Sequence, residues 1–398
     1  MKPTARIAEL GKKCFGCGAC AAACPSSCIE MQEDEKGFIH PVIDAERCLH
    51  CHLCDRTCPA INLRKQDEVV SCCGAVAQDR KELARSSSGG VFGMLARNVL
   101  EQGGVVVGAA FDNDLTVRHI LIDSIGDLPR LQSSKYVQSS IDSWIYVAIR
   151  QALDEHRRVL FSGTACQIAG LRGFLGVLAD APELLLAEVV CHGVPSPKLW
   201  RLWKAYQEDT CHEKLVDVRF RDKSTGWSSY SVVYVYGNGR TKRRLAANDW
   251  YMKSFLSNDS LRPSCFSCKA KCCCGSDITL CDFWGIWSLK PMAKWSDGTS
   301  AVVVHTERGS KAIKEVGSSL CCFVVAYNDI KRGNPSLEFS ANAGENRDEF
   351  MSLLASSEAD IEELLVRFPY RRSIVQRATS VAGVIRSKIN HATGLNSF

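Results

Sequence analysis

Between residues 70 and 340 the apolar positions change period repeatedly, and the changes mark alternating helices and strands. Phe92, Leu95, Ala96 and Val99 recur at helical spacing over 91–102, and Gly103-Gly104 stands where a left-handed residue ends a helix. Val105–Phe111 is a continuous apolar run, as expected of a strand buried on both faces. Residues 141–156 predict a helix, 158–162 a strand, 167–175 a helix and 184–190 another buried strand. Pro197 suits the first turn of a helix running through Trp203. Residues 230–236 alternate and lead into Gly237-Asn238-Gly239, a hairpin signal, and 301–305 predict a further strand. This order predicts an α/β domain over 70–340 with a mainly parallel or mixed sheet.

The flanks differ. Residues 10–60 are dense in cysteine and lack long periodic segments, so something other than packing must hold them. A charged stretch at 64–68 predicts a linker after a small domain at 1–64. Residues 341–398 predict a helical tail that carries no acidic residue after Glu363 and is basic through Arg367, Arg371, Arg372, Arg377 and Arg386. Its simplest reading is a solvated basic face.

At 398 residues, 46% hydrophobic and 23% charged, the chain has the composition of a soluble globular protein, and a net charge of +5 gives no reason to invoke nucleic acid. The first thirteen residues are polar, and no apolar run reaches the ~20 residues of a membrane span. The expected location is cytoplasmic. There the 22 cysteines should stay reduced, and their clustering points to metal rather than disulfides.

Cys14, Cys17, Cys20 and Cys24-Pro25 form a C-x2-C-x2-C-x3-C-P run, and Cys48, Cys51, Cys54 and Cys58-Pro59 repeat it. This doubled spacing is the bacterial two-cluster ferredoxin pattern, in which the fourth cysteine of each run serves the other cluster. One [4Fe-4S] cluster should take Cys14, Cys17, Cys20 and Cys58, and the other Cys48, Cys51, Cys54 and Cys24. Gly16 and Gly18 should let backbone N–H groups approach the sulfurs. Structural zinc, the competing reading, favours two C-x2-C pairs over runs of four ending in Cys-Pro. Cys28 reads as a small buried hydrophobe, and His50 and His52 as solvated loop residues.

Three features of 70–340 suggest a cofactor site. Ser86, Ser87, Ser88, Gly89 and Gly90 precede a helix and could cradle phosphate at its positive end, although such segments are also ordinary caps. Ser162, Gly163 and Thr164 follow a buried strand and should lie at the carboxyl edge of the sheet. Cys166, Cys191, Cys265 and Cys268 stand in loops, and spacing alone leaves open whether they meet.

Residues 70–340 resemble the beta subunit of coenzyme F420-reducing hydrogenase and its dehydrogenase relatives. The resemblance rests on Ser86–Phe92, Gly103–Phe111, Ser134–Gln138, Phe161–Gly170, Val190–Ser196, Phe220–Lys223, Leu261–Cys265 with Cys268, and Ser276–Ile286. It implies bound FAD and a third [4Fe-4S] cluster held by Cys166, Cys191, Cys265 and Cys268. It also implies flavin contacts from the Ser86–Gly90 loop, Lys135, Tyr136, Ser162, Gly163 and Thr164. The chain departs from the family pattern with Ala165 in place of proline, Cys281 in place of glycine, and extra thiols at Cys272, Cys273 and Cys274.

The implied function is an iron–sulfur flavoprotein oxidoreductase. Electrons would enter from ferredoxin or a redox partner subunit and end on coenzyme F420 or another small molecule. His192 and Asp282 are candidates for proton delivery, or for fixing loops by hydrogen bonding. Two alternatives are an electron-transfer subunit without its own substrate and a flavin-free interaction module in a polysaccharide pathway.

Overall fold

Residues 5–62 form a small unit whose interior is largely sulfur. The structure, a computed structural model, describes residues 5–62, 64–65, 67–289 and 297–370. In the first unit β1 (Ile29–Glu33) and β2 (Ile39–Ile43) pair antiparallel, and the short helices Ala19–Ala22 and Leu53–Thr57 each include one cysteine of a run. Of the seven buried residues in its core, four are cysteines: Cys20, Cys28, Cys54 and Cys58. So little hydrocarbon gives weak support from packing alone.

The α/β unit is built on β3 (Ser71–Ala77), β4 (Val105–Phe111), β5 (Val117–Ile122), β6 (Val159–Gly163) and β7 (Leu184–Val189). A separate antiparallel sheet holds β8 (Leu215–Asp222), β9 (Ser231–Tyr236) and β10 (Thr241–Leu245). The main sheet then gains β11 (Ile278–Asp282), β12 (Ser300–Val304) and β13 (Leu320–Val324), giving the order β13-β3-β12-β11-β7-β6-β4-β5. The β4–β6, β6–β7 and β7–β11 pairs are parallel and the others antiparallel, so the sheet is mixed, as the sequence predicts.

Side-chain alternation explains the unbroken apolar runs. Val105, Val107, Val159, Phe161, Leu184 and Leu186 face the helices Ser143–Asp154 and Ala165–Leu175. Val106, Leu160 and Leu185 face the helix Val91–Glu101. Both faces are covered, so both must be apolar. The sequence pattern does not anticipate β3 or β13, which are rich in cysteine and small residues. Gly74 is required in β3 because a Cβ there would lie 2.1 Å from the Phe323 ring of β13.

The small antiparallel sheet packs in an aromatic core with Trp200, Trp203, Phe220, Trp250 and Tyr251. The helices Arg347–Ala355 and Ile361–Arg367 enter this core through Phe350, Leu354 and Leu364. Trp250 Nε1 also donates to the Phe368 carbonyl at 2.8 Å. Up to residue 370, therefore, the segment expected to be a tail is part of the packed unit. Arg371, Arg372, Arg377 and Arg386 lie outside the described residues.

The cysteine-rich unit docks on the helix Ala165–Leu175 where that helix lacks side chains. A Cβ on Gly173 would lie 2.2 Å from the Thr57 carbonyl oxygen, and one on Gly170 would lie 2.9 Å from Cys17 Sγ. Tyr146 Oη donates to the Cys17 carbonyl at 2.6 Å across the same junction.

Candidate metal centres and sheet-edge site

Folding brings the two N-terminal runs together crosswise. Cys14, Cys17, Cys20 and Cys58 line one pocket, with Gly16, Gly18 and Pro59 in its wall. Cys24, Cys48, Cys51 and Cys54 line the other, joined by Cys28. These are the two sets expected from the spacing. Gly16 N–H donates to Cys14 Sγ at 3.3 Å, as expected of the glycine loop. Burial opposes ionisation of Cys14, but a hydrogen bond with His40 and the charge of Arg262 outweigh it and hold the thiol below its ordinary range. Cys28 is buried as expected, and its sulfur lies 3.4 Å from Cys24 Sγ. His52 Nδ1 pairs with Asp55 Oδ2 at 2.8 Å rather than standing free.

The sheet edge gathers the second group of cysteines. Cys166 lies in the first turn of the helix after β6, Cys191 follows β7, and Cys265 and Cys268 lie at the 263–267 turn. A bridge between Pro195 and Leu261 ties two of these loops together. The four thiols act on one another electrostatically: Cys268 and Cys265 on Cys166, and Cys265, Cys166 and Cys268 on Cys191. Burial first, and then these neighbours, push the Cys166 thiol up to about 12. Burial likewise dominates the rise of Cys265 to about 11.

The desolvated thiols of Cys166, Cys191 and Cys265 stay protonated unless a strong positive charge sits among them. A bound metal supplies that charge and deprotonates its thiol ligands outright. The donor set thus suits a thiophilic centre such as an iron–sulfur cluster. Among the described residues, no three His, Cys, Asp or Glu side chains are placed to hold a single ion. The extra thiols turn elsewhere: Cys274 Sγ lies 3.5 Å from Glu188 Oε2, and Cys272 Sγ donates to the Leu337 carbonyl at 3.2 Å.

The Ser86–Gly90 loop departs from a free phosphate cradle. Ser86 Oγ donates to Glu82 at 3.1 Å, and Ser88 Oγ to the Thr299 carbonyl at 2.7 Å. Ser87 Oγ accepts from the Ser134 N–H at 2.8 Å. Gly89 N–H donates to Ser300 Oγ at 3.0 Å, and a Cβ on Gly89 would lie 2.2 Å from the Ala75 carbonyl oxygen. These groups stitch the loop to neighbouring elements, and Gly90 serves as the left-handed N-cap of the following helix.

The other expected contacts are also engaged. Lys135 Nζ donates to the carbonyls of Arg130 (2.9 Å) and Gln132 (2.7 Å), and desolvation lowers it to about 7. The Tyr136 hydroxyl is held above its ordinary range by burial, against the pull of Arg221. The Ser162 carbonyl contacts His119 Nε2 at 3.1 Å, Gly163 ends β6, and Thr164 closes a capping box with Gln167.

His192 Nε2 lies 2.5 Å from Asn258 Oδ1, and burial lowers its pKa. Asp282 accepts from Trp227 Nε1 at 3.0 Å and pairs with Arg221 at 2.9 Å. Both candidates are thus tied into loops.

Sequence reasoning did not single out the cations nearby. Arg221 is buried over Tyr230, with its guanidinium 4.0 Å from the ring centre, and reaches the Ser87 carbonyl at 3.4 Å. Lys223 donates to the Ser88 carbonyl at 3.1 Å, and burial lowers it to about 8. Trp227 and Trp284 stack at 4.9 Å. Arg221 Nε and Thr299 Oγ1 are buried without a hydrogen-bond partner among the described residues. Unpartnered polar atoms, two cations and aromatic faces suit a ligand with phosphates and a planar ring. The available signal was Arg221 and Lys223 within Phe220–Lys223, a stretch already matched to the family.

Comparison with known proteins gives two family matches. Residues 156–328 match the C terminus of the coenzyme F420 hydrogenase/dehydrogenase beta subunit, and residues 13–61 match the 4Fe-4S dicluster domain. The chain is 24% identical over 173 residues to the F subunit of F(420)H(2) dehydrogenase from Methanosarcina mazei, a match covering 40% of this chain and 47% of that relative. It thus spans about half the length of that relative. A chain of the F420-reducing [NiFe] hydrogenase complex from Methanosarcina barkeri superposes with a TM-score of 0.44 at 14% identity, covering 76% of this chain and 92% of that one. No helix among the described residues is long and apolar enough to cross a membrane.

Proposed function

Through residues 156–328 this chain belongs to the family of coenzyme F420 hydrogenase/dehydrogenase beta subunits, with a 4Fe-4S dicluster domain ahead of them, and we propose that it is an electron-transferring iron–sulfur flavoprotein. One observation carries this reading. Cys17 of the first N-terminal set rests against Gly170, and Cys166 of the sheet-edge set lies four residues earlier on the same helix. Positions i and i+4 share a helix face, so the two sets adjoin at a spacing of about 6 Å along the axis. Tyr146, between them, is acted on by Cys17, Cys20 and Cys166.

The N-terminal sets hold two [4Fe-4S] clusters, and Cys166, Cys191, Cys265 and Cys268 hold a third. Arg221, Lys223 and Lys135, with Thr164 at the third set, would hold FAD. Bound FAD would exchange electrons in pairs with a small molecule and singly with a cluster. Arg221 and Lys223 supply positive charge where negative charge gathers, and the stacked Trp227 and Trp284 shield that side from water. Asp282 keeps Arg221 aimed, and Asn258 fixes His192, so both act by positioning.

Cys51 is exposed and Leu49, beside it in the second pocket, keeps 63% of its surface open. This end accepts a ferredoxin or redox partner subunit. The small molecule at the flavin is coenzyme F420 or a similar two-electron carrier. The Methanosarcina mazei relative is by its name one part of a dehydrogenase, which favours work within a larger assembly over work alone.

The test is anaerobic purification followed by denaturation and chromatography of the released flavin, then addition of reduced coenzyme F420 to intact protein. Release of FAD and bleaching of its absorbance are expected. FAD without bleaching leaves an electron-transfer subunit whose substrate site lies on a partner. Absence of flavin after reconstitution overturns the flavoprotein reading.

A further inference from the structure

Arg262 is 1% exposed, and its guanidinium reaches from the α/β unit into the cysteine-rich one. Nε donates to the Cys14 carbonyl at 2.9 Å and Nη2 to the Ile39 carbonyl at 2.8 Å. Nη1 lies 3.3 Å from Gln138 Oε1, Nη2 lies 3.5 Å from His40 Nδ1, and the group stands 5.5 Å over the Phe38 ring. None of these partners is a carboxylate. Asp34, behind His40, is engaged by that imidazole at 3.3 Å.

A guanidinium keeps its charge at every working pH, and burying a cation without an anion is costly. The residue is fixed at two cysteine sets: its guanidinium at the Cys14 carbonyl of the first N-terminal pocket, and its own carbonyl at the sheet edge, where it accepts from the Cys265 N–H at 3.0 Å. Lys271 Nζ donates to the Cys191 carbonyl at 2.5 Å, but Cys191 belongs to the sheet-edge set alone. Arg262 spans the junction.

We propose that Arg262 is the electrostatic link between the first N-terminal cluster and the sheet-edge cluster, one buried charge that raises the reduction potential of both. The inference rests on the reading above that both sets hold [4Fe-4S] clusters. Each such cluster takes up one electron and becomes more negative by one charge. A fixed cation beside it stabilises the reduced form. Placed at the junction of the two sets, the cation favours an electron on either cluster. Arg262 is a positioning and tuning residue that touches no substrate.

The experiment is a potentiometric titration of the full anaerobic chain, followed by low-temperature electron paramagnetic resonance, in the unaltered protein, R262Q and R262K. R262Q keeps a hydrogen-bond donor and removes the charge. It should shift the reduction equilibrium of the two adjoining clusters at least tenfold toward the oxidised form, a fall of about 59 mV for one electron. The cluster of Cys24, Cys48, Cys51 and Cys54 should move less than twofold. R262K keeps the charge and should hold all three within about threefold of the unaltered protein. Unmoved midpoints in R262Q, or a tenfold shift in R262K, overturn the proposal. If R262Q fails to load iron, Q138E sets a carboxylate against the same guanidinium. It must lower the same two midpoints at least threefold in equilibrium, and no shift there overturns the proposal equally. Iron is counted first: about eight per chain instead of about twelve defeats the sheet-edge cluster itself, whereas twelve with unmoved midpoints defeats only the link.

Discussion

The two cysteine-bearing regions are assembled by opposite means. In residues 14–58 the ligand spacing lies within two short runs, the interior is mostly sulfur, and little hydrocarbon shapes the loops. At the sheet edge the proposed ligands come from three distant segments, and the fold that gathers them is already complete, with apolar residues on both faces of its strands. In the first region metal should make the structure. In the second, structure should make the metal site.

Removing iron breaks the comparison most widely. Chelation should abolish amide protection across residues 14–58 while leaving it intact in β4, β6 and β7, as read by hydrogen exchange. Equal protection in both regions would show that the small unit folds without metal.

Cysteine substitution sharpens the crosswise pairing. C14S and C58S should each cost the same cluster, about four irons, and C24S the other, with the two losses distinguishable by their resonance signals. If C58S instead removed the cluster held by Cys48, Cys51 and Cys54, the pocket assignment would be wrong.

The junction offers a smaller effect. In G173A the new methyl meets the Thr57 carbonyl, and overpacking of this kind costs about 1–3 kcal/mol. A urea midpoint should fall accordingly, with loss of protection beginning in residues 5–62. An unchanged midpoint would mean that the units barely lean on each other.

The smallest effect concerns pH. Desolvation leaves Lys135 at about 7, so it is charged below that pH and neutral above it. Anionic FAD prefers the charged form and should raise the pKa on binding. Its affinity should therefore be level below pH 7 and weaken above it by up to about tenfold per unit until the bound form also titrates. Fluorescence titration of FAD into flavin-free protein measures this, and K135R should flatten the profile. A flat profile in the unaltered protein would remove Lys135 from the flavin site.

The same contrast explains what the sequence made legible. Cys-x2-Cys-x2-Cys-x3-Cys-Pro is a local pattern, and so are the apolar runs of β4 and β7, buried on two faces. β3 escaped because Gly74 answers to a long-range contact, the Phe323 ring, which leaves no periodic trace. The helices at 347–367 were expected, but their docking in the aromatic core was hidden because a basic segment beyond them dominates the composition there. Ser86–Gly90 carried a phosphate-loop pattern, yet its hydroxyls serve Glu82, Ser134 and the Thr299 carbonyl, partners that only folding brings near. Arg221 and Arg262 stood inside matched stretches, but their importance lies in what surrounds them, 61 residues on for the Asp282 that pairs with Arg221 and 248 back for the Cys14 carbonyl that accepts from Arg262.

The proposed electron path needs three cubanes. Iron and acid-labile sulfide, counted per chain in anaerobically purified full-length protein, test it most directly. About twelve of each is the expected result. About eight would leave the sheet-edge thiols without a cluster and end the wire before the flavin, and zinc in place of iron would contradict it throughout.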